Sequence, residues 1–433
     1  MTVSCERLDI YIAGKLCGVL TQNRNGALSF EYVHHYEGVP LSVSMPVGLE
    51  RYGDRTVRPY LMGLLPDNAS TRSLIGSKFG VSGNNPFKLL SNIGLDCPGA
   101  VQVCPHETDF ELRNAEKGLV ALSSADIESK LAAVRDNAAA AWIDAEETQG
   151  RWSLAGCQAK FALRRQRGNW YDCIGGAASA HIFKPGVVGF DRQALVEYLS
   201  MKTAQALGLP TARAEYLTFG SESAIVVERY DRAANEKGKV IRIHQEDLCQ
   251  ALGVSPDAKY AEQGGPTTPQ IIELLKKTGA NATSNVHRFI LYIFFNYLIG
   301  ATDAHAKNHS LLLVAPDDIR LAPLYDVASI APYRSLAPSA RKPPRTALSI
   351  GGENRFGMLK KKHVEKMAVS CRLEELDIGA DTLCEQFETM ARMVPQVLAS
   401  VIEEARLQKV LGIDDIAERM QTEISANCAR FLS

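Results

Sequence analysis

The sequence predicts an α+β protein of two lobes, with an additional α+β subdomain at its N-terminal end and a mainly helical lobe at its C-terminal end. Three observations carry this prediction. Residues 8–20 and 28–43 alternate apolar and polar side chains with the period of a strand. Four short apolar runs, 161–163, 170–174, 179–184 and 224–230, are bounded by turn residues. After residue 245 the pattern lengthens into helical periods, and residues 286–299 are almost unbroken apolar. A chain of 433 residues can bury the cores of two or three domains. The expected divisions are 1–110, the N-terminal α+β subdomain; 111–150, a helical connector; 151–235, a strand-rich lobe; and 236–433, the helical lobe.

In chain order, residues 59–74 and 85–92 read as helices, and the first subdomain closes near His106. The connector, 123–145, contains Asn137-Ala-Ala-Ala-Ala141, whose helix formers outweigh any reading as a repeat. Residues 245–253 and 271–275 begin the helical lobe, and 286–299 leads through Gly300 into a polar loop. Residues 309–314 and 319–324 read as two strands joined by a turn at 315–318, and helices run from 373 to the end. No internal repeat or low-complexity tail is present.

Composition narrows the function classes. A net charge of −1 excludes a uniformly basic nucleic-acid binder. The absence of an eighteen-residue apolar run and of a leader pattern in the first residues predicts a cytoplasmic protein with no membrane span. Ten cysteines without a CxxC pair indicate reduced, mostly buried thiols. His34-His35 is an isolated pair with no third ligand nearby. One local exception is basic: Arg334, Arg341, Lys342, Arg345, Arg355 and Lys360 to Lys362 face a single acid, Glu353. This stretch is either a solvated loop or a contact for an acidic partner or DNA phosphates.

The chemistry concentrates in Asp303-Ala-His-Ala-Lys-Asn308 and in Leu324-Tyr-Asp326. One carboxylate can orient a hydroxyl nucleophile, while an amide oxygen and a second carboxylate can hold Mg²⁺ against ATP phosphates. The step from Asp303 to Asn308 matches the catalytic-loop spacing of protein kinases, although the Arg before the aspartate is missing. The two strands that follow should return Asp326 beside Asn308. Ser153-Leu-Ala-Gly-Cys-Gln-Ala-Lys160 is small and polar enough to bring backbone N–H groups to an anion. Neither G-x-x-x-x-G-K-[ST] nor a useful G-x-G-x-x-G occurs, which argues against a P-loop NTPase or a dinucleotide-binding domain. Lys184, at the end of an apolar strand, is placed to meet α- and β-phosphates, with Glu197 available as its partner; the plain alternative is a snorkelling surface lysine. Residues 224–230 are either a core strand or one that offers main-chain hydrogen bonds to adenine from Glu228, Arg229 and Tyr230.

Five blocks, in order, resemble the HipA-like serine/threonine kinases, the toxin halves of bacterial HipBA toxin–antitoxin pairs. They are Ser153 to Lys160, His181-Ile-Phe-Lys184, Val227-Glu-Arg-Tyr-Asp-Arg232, Asp303-Ala-His-Ala-Lys-Asn-His-Ser310 and Leu324-Tyr-Asp326. Weaker similarity lies in Gly63-Leu-Leu-Pro-Asp67, Asn85-Pro-Phe-Lys-Leu-Leu90 and Asn92-Ile-Gly-Leu-Asp-Cys97. The resemblance implies a bilobal, kinase-like fold, with ATP and Mg²⁺ as cofactors and Asp303 as the catalytic aspartate. It also implies Asn308 and Asp326 as metal ligands, and a phosphate loop of Ala155, Gly156, Cys157, Gln158, Ala159 and Lys160. Lys184 would pair with the phosphates, Glu228, Arg229 and Tyr230 would bind adenine, and His305, Ala306, Lys307, Asn308, Tyr325 and Asp326 would border the nucleotide. Ser153 would be the site of autophosphorylation, which expels the loop because a dianion cannot stay where ATP phosphates sit. Cys157 and Ala159 stand where such kinases commonly have Ala and Glu, so the match is loosest in the rate of loop closure.

The implied partners are a HipB-like helix-turn-helix antitoxin and, mainly through it, operator DNA, with residues 334–362 as a further DNA contact. The implied substrate is a translation component, with an aminoacyl-tRNA synthetase as the expected target. Two other readings stay open: a small-molecule kinase using the same Asp, Asn and Asp set, and a non-catalytic co-repressor that acts with the antitoxin.

Overall fold

The computed structural model describes residues 6–49, 51–106, 108, 118–143, 152–236, 239–336 and 344–433. The chain forms two compact units. Met1–Val187, Leu217–Asp257 and Leu311–Pro316 make the first, and Val188–Tyr216, Ala258–Ser310 and Asp317–Ser433 the second.

The first unit opens with an antiparallel five-stranded sheet in the order Tyr52–Gly53, Leu28–Tyr32, Lys15–Gln22, Glu6–Ile12, Val101–Pro105. Leu8, Ile10 and Ile12 alternate onto one face and are buried with Leu20 and Phe30. Gly18 is required here, since a Cβ would lie 2.4 Å from the Glu31 carbonyl oxygen. The strand expected over 28–43 ends at Tyr32, whose hydroxyl donates to the Met45 carbonyl at 2.5 Å and accepts the Leu41 N–H at 2.8 Å, folding the next residues back.

The helix expected over 59–74 is two helices, Asp54–Gly63 and Ala69–Lys78. The chain breaks near Pro66, and the Asn68 side chain restarts the helix by accepting the Ser70 and Thr71 N–H groups. The third helix, Pro86–Ile93, follows expectation, with Asn85 capping the Lys88 N–H and Pro86 in the first turn.

A second antiparallel sheet in the same unit runs Glu222–Glu228, His181–Lys184, Phe161–Gln166, Asn169–Cys173, Leu119–Leu122. Phe161 and Phe183 stack across it with centroids 5.1 Å apart and join the buried Leu163 and Val226. Residues 245–253, expected as helix, begin as the strand His244–Asp247 and then turn into the short helix Leu248–Ala251. Asp247 caps that helix and makes the switch possible.

The second unit is built around Ala282–Ile299, of whose 18 residues 13 are buried, so it is a central helix rather than a surface one. Ala380–Leu407 and Ile413–Leu432 pack on it, with Phe387 stacked on Phe294 at 3.6 Å and Phe431 edge-on at 5.1 Å. Among the described residues no helix is long and apolar enough to cross a membrane.

Candidate active site

The central helix delivers the polar loop. Gly300 ends it at φ +75, a left-handed conformation that glycine adopts without the strain a Cβ would bring. Its last carbonyls do not go unpaired: the Asn427 amide donates to Tyr297 and Leu298 at 2.8 and 2.9 Å, and the Ser329 hydroxyl donates to Ile299. The Ile330 N–H closes on the Gly300 carbonyl at 3.0 Å. The start of the loop is thereby fixed.

Within the loop, Asp303, His305 and Asn308 are brought together as expected. The Asp303 carbonyl accepts the His305 N–H at 2.9 Å and the Asn308 side-chain amide at 2.7 Å, while the Asn308 N–H donates to the His305 carbonyl at 2.9 Å. With its Nδ2 committed, the amide of Asn308 has its oxygen left to accept or to coordinate. The Asp303 carboxylate stands out of the fold, 61 % exposed, where a macromolecular acceptor can reach it. One of its oxygens lies 3.4 Å from His305 Nε2. Burial pushes the His305 imidazole below its usual range; Asp303 partly opposes this, and Lys259 pushes it further down. His305 is therefore neutral near pH 7. Its ring is 2 % exposed, and neither nitrogen has a hydrogen-bond partner among the described residues. A buried imidazole without a hydrogen bond costs stability unless a further group satisfies it.

Tyr325 and Asp326 return to this loop. The Tyr325 hydroxyl donates to the Lys307 carbonyl at 3.0 Å and lies 2.6 Å from the Ser310 hydroxyl. The next residue, Asp326, has φ 57, an unusual left-handed value for a non-glycine residue and a form of strain that gathers at functional sites. Its carboxylate contributes to the potential at His305. The expected second strand over 319–324 is shorter, Asp318–Leu321, because Leu324 leaves to pair with Thr211. Asn308 and Asp326 offer oxygen donors, the type a small hard cation prefers, while among the described residues no cluster of three or more His, Cys, Asp or Glu could hold a metal ion.

The other predicted site residues lie in the first unit. The loop at 153–160 is docked on the N-terminal subdomain. The Ser153 N–H donates to the Asp96 carbonyl at 3.0 Å, its hydroxyl donates to the Leu64 carbonyl at 2.6 Å, and the Asp67 N–H donates to the Gly156 carbonyl at 3.2 Å. Ser153 is fully buried, so its hydroxyl is out of reach while the loop keeps this position. Gly156 has φ +97, and the Lys160 ammonium folds back to the Ala155 carbonyl at 2.7 Å. Of the nine free cysteines described, Cys157 alone is exposed. Lys184 ends its strand 5 % exposed, which rules out the snorkelling surface lysine. Glu197 is buried on the helix Gln193–Ala206 of the other unit.

The segment 228–230 divides by residue. The Arg229 N–H already donates to the Ala180 carbonyl at 2.9 Å, and its guanidinium is buried. Glu228 closes the ladder opposite His181, and the Tyr230 hydroxyl donates to the Gln245 side-chain oxygen at 2.7 Å. The Arg229 side chain enters a buried ion network that sequence reasoning missed. Asp96 meets Arg242 at 2.8 Å, Arg232 at 2.9 Å and Arg229 at 3.5 Å, and Asp231 meets Arg229 at 2.8 Å and Arg232 at 3.0 Å. Ser179 adds a hydroxyl bond to Asp96 at 2.6 Å. Burial pushes the Asp96 carboxyl up, but the three guanidiniums outweigh it and hold it well below the usual carboxylate range. The available signal was the presence of Asp96, Arg229, Asp231 and Arg232 in the quoted blocks.

Of the basic stretch, Arg341 and Lys342 lie outside the described residues, as does the Arg334 side chain. Arg345 pairs with Glu262 at 3.1 Å, Arg355 with Glu353 at 2.6 Å, and Lys361 with Glu388.

Comparison with known proteins gives a consistent picture. The model of the HipA-like C-terminal domain matches residues 152–403, and that of the HipA N-terminal domain matches residues 8–104. Putative kinase Y4mE of Sinorhizobium fredii is 36 % identical over 339 residues, covering 76 % of this chain and 79 % of the relative. The serine/threonine-protein kinase toxin HipA of Shewanella oneidensis is 27 % identical over 440 residues, covering 94 % and 93 %. In fold, the chain is similar to the HipA of the Shewanella oneidensis HipA, HipB and operator DNA complex, with a TM-score of 0.78 at 23 % identity over 98 % of this chain and 97 % of that one.

Proposed function

Since the chain belongs to the HipA family of serine/threonine-protein kinases, we propose that it is an ATP- and Mg²⁺-dependent kinase that acts as the growth-inhibiting half of a HipBA-type pair. Its acceptor would be a protein of the translation apparatus, such as an aminoacyl-tRNA synthetase. The observation that carries the catalytic part is the Asp303, Asn308 and Asp326 set on one anchored loop and its return.

In this reading Asp303 takes the proton of the acceptor hydroxyl as its oxygen bonds to the γ-phosphorus and the bond to ADP breaks. Asn308 and Asp326 would hold Mg²⁺, which neutralises phosphate charge when bound. Residues 155–160 and Lys184 are assigned to the phosphates, and the main chain of Glu228 and Tyr230 to adenine. His305, neutral and buried, borders the phosphates as a donor or acceptor.

The partners follow from the relatives: a HipB-like antitoxin and, through it, operator DNA. The docked, buried Ser153 supports a loop that is active in place and inactive once phosphorylated and expelled.

The test is intact mass after incubation with Mg²⁺-ATP. Wild type should gain one phosphate of about 80 Da, and Ser153→Ala and Asp303→Asn should gain none. Asp303→Asn should still bind Mg²⁺-ATP, because the aspartate acts on the nucleophile and other groups hold the nucleotide. Failure of wild type to bind Mg²⁺-ATP would end the kinase reading. Transfer to small hydroxyl compounds but never to protein would favour a small-molecule kinase.

A further inference from the structure

One contact at Asp303 has no part in the reaction above. The Tyr260 hydroxyl donates a hydrogen bond to Asp303 Oδ1, the carboxylate that must accept the proton of an incoming hydroxyl. Tyr260 is not there by chance of a flexible side chain. Its carbonyl accepts the Gln263 N–H at 2.9 Å and the Gly265 N–H at 3.0 Å, tying the turn that carries it. Gly265 is forced by that turn, since a Cβ would come 2.0 Å from the Ala258 carbonyl oxygen. The ring stands edge-on to His305 with centroids 4.9 Å apart, and the Lys259 ammonium lies 5.8 Å from its centre. Backbone, imidazole and cation together aim one hydroxyl at one carboxylate oxygen.

A phenol on Asp303 and an acceptor hydroxyl on Asp303 are the same kind of donor to the same lone pairs. The phenol occupies one lone pair of Oδ1, so an acceptor hydroxyl that uses that lone pair must displace it. Resting on the kinase reading, we infer that Tyr260 holds the acceptor-hydroxyl position on Asp303 until a polypeptide serine or threonine displaces it. It thereby makes the enzyme select a protein hydroxyl over water.

A bound water could exploit the same carboxylate. It would form a bond to the γ-phosphorus, give its proton to Asp303 and release ADP and phosphate, wasting ATP. Tyr260 competes with water for that oxygen in the resting enzyme and lowers the share of time a water holds it. A protein acceptor, held by contacts beyond its hydroxyl, can use that binding to move the ring aside.

The test uses the full chain and Tyr260→Phe, which keeps the ring against His305 and removes only the hydroxyl. ADP formation is measured in chains that also carry Ser153→Ala, so that autophosphorylation neither forms ADP nor switches the enzyme off, with Mg²⁺-ATP alone and with increasing dephosphorylated casein as the protein acceptor. The hydrogen bond to a charged group is worth about tenfold or more in occupancy. Tyr260→Phe should therefore raise hydrolysis without acceptor by about tenfold and lower the acceptor KM severalfold, with kcat close to wild type.

Three results would overturn the inference. Hydrolysis could be unchanged. The variant could lose kcat with KM constant, which would make Tyr260 a residue that orients Asp303. The mass of wild type could show phosphate on Tyr260 itself, which would make it a substrate. If wild type neither forms ADP nor transfers phosphate, the kinase reading fails first and this inference goes with it.

Discussion

Asp96→Ala should be the most damaging single substitution outside the catalytic loop. In the native first unit two carboxylates, Asp96 and Asp231, face three guanidiniums, Arg229, Arg232 and Arg242. Removing Asp96 leaves Asp231 alone against three cations, of which Arg229 and Arg232 have side chains only 3 % and 2 % exposed. It also strips Ser179 of the partner for both its hydroxyl and its N–H. Breaking a buried ion pair by deleting one side costs about 3–5 kcal/mol, because the remaining charge stays desolvated. At about 2–4 °C per kcal/mol for a unit of some two hundred residues, Tm should fall by roughly 10 °C.

Asp96→Asn keeps the shape and some hydrogen bonds, so its loss should be smaller but in the same direction. The assay is thermal unfolding followed by circular dichroism, with urea unfolding to confirm that the midpoint moves and the slope does not. Acid gives a second check. Because the Asp96 carboxyl is held below its unfolded value, its stabilisation is present above about pH 4 and is lost as pH falls through the lower folded value. Asp96→Asn should lose less stability than wild type over that acid range. A fall in Tm of under about 2 °C for Asp96→Ala would refute the reasoning, since it would mean the network is hydrated or readily repacked.

Glu246 should make stability fall from pH 7 to 8. It is fully buried, and burial pushes its carboxyl up to about 8 despite bonds from the Ser42 hydroxyl and the Val43 N–H. The folded state then holds a proton that the unfolded state has lost, which costs about 1 kcal/mol of stability between pH 7 and 8 as the folded group itself begins to ionise. The buried histidines His181 and His244, both pushed down to about 4, and His309, pushed down further, still lose protons in the unfolded state above pH 7 and partly oppose this fall, so the effect is read as the difference between wild type and Glu246→Gln. Wild type should therefore lose stability relative to Glu246→Gln across that window, and Tm profiles that stay parallel for the two proteins would refute the reasoning. At Asp326, Asn should fold normally, because it tolerates the left-handed backbone, yet raise the KM for Mg²⁺-ATP by at least about tenfold. Asp326→Val should unfold about 1–2 kcal/mol more readily as well, and equal Tm for the two variants would count against the strain argument. Ser153→Ala loses its bond to the Leu64 carbonyl and should cost about 1 kcal/mol in urea unfolding while leaving ADP formation intact.

The backbone of the candidate loop at 303–308 was legible because its contacts are local. Asp303, His305 and Asn308 lie within six residues, and the backbone turn that joins them is short enough for spacing to imply contact. Lys184 was legible for a similar reason, as a cation at the end of an apolar strand. The Asp96 network was not, because its members are up to 146 residues apart and no spacing rule links a carboxylate to three distant arginines. Tyr260 was hidden in the same way, 43 residues before the aspartate it meets. Where element ends were misplaced, a side chain decided the matter: Asn68 restarts a helix inside what reads as one, and the Tyr32 hydroxyl stops a strand pattern that continues in the sequence.

The Asp96 network also bears on how such a protein can be taken apart or recombined. The two family-matched segments, 8–104 and 152–403, look like interchangeable modules when laid along the chain. The cut between them runs through the ion network, because Asp96 belongs to one segment and Arg229, Arg232 and Arg242 to the other. A fragment beginning at residue 152 would carry three arginines with their largest acidic counterweight removed, and would leave Ser153 and Gly156 without the Leu64, Asp67 and Asp96 backbone groups they dock on. Gene fusions or shuffled relatives that exchange the N-terminal segment must bring a carboxylate to the same place. In this chain the N-terminal segment is inherited together with the kinase, as part of its interior.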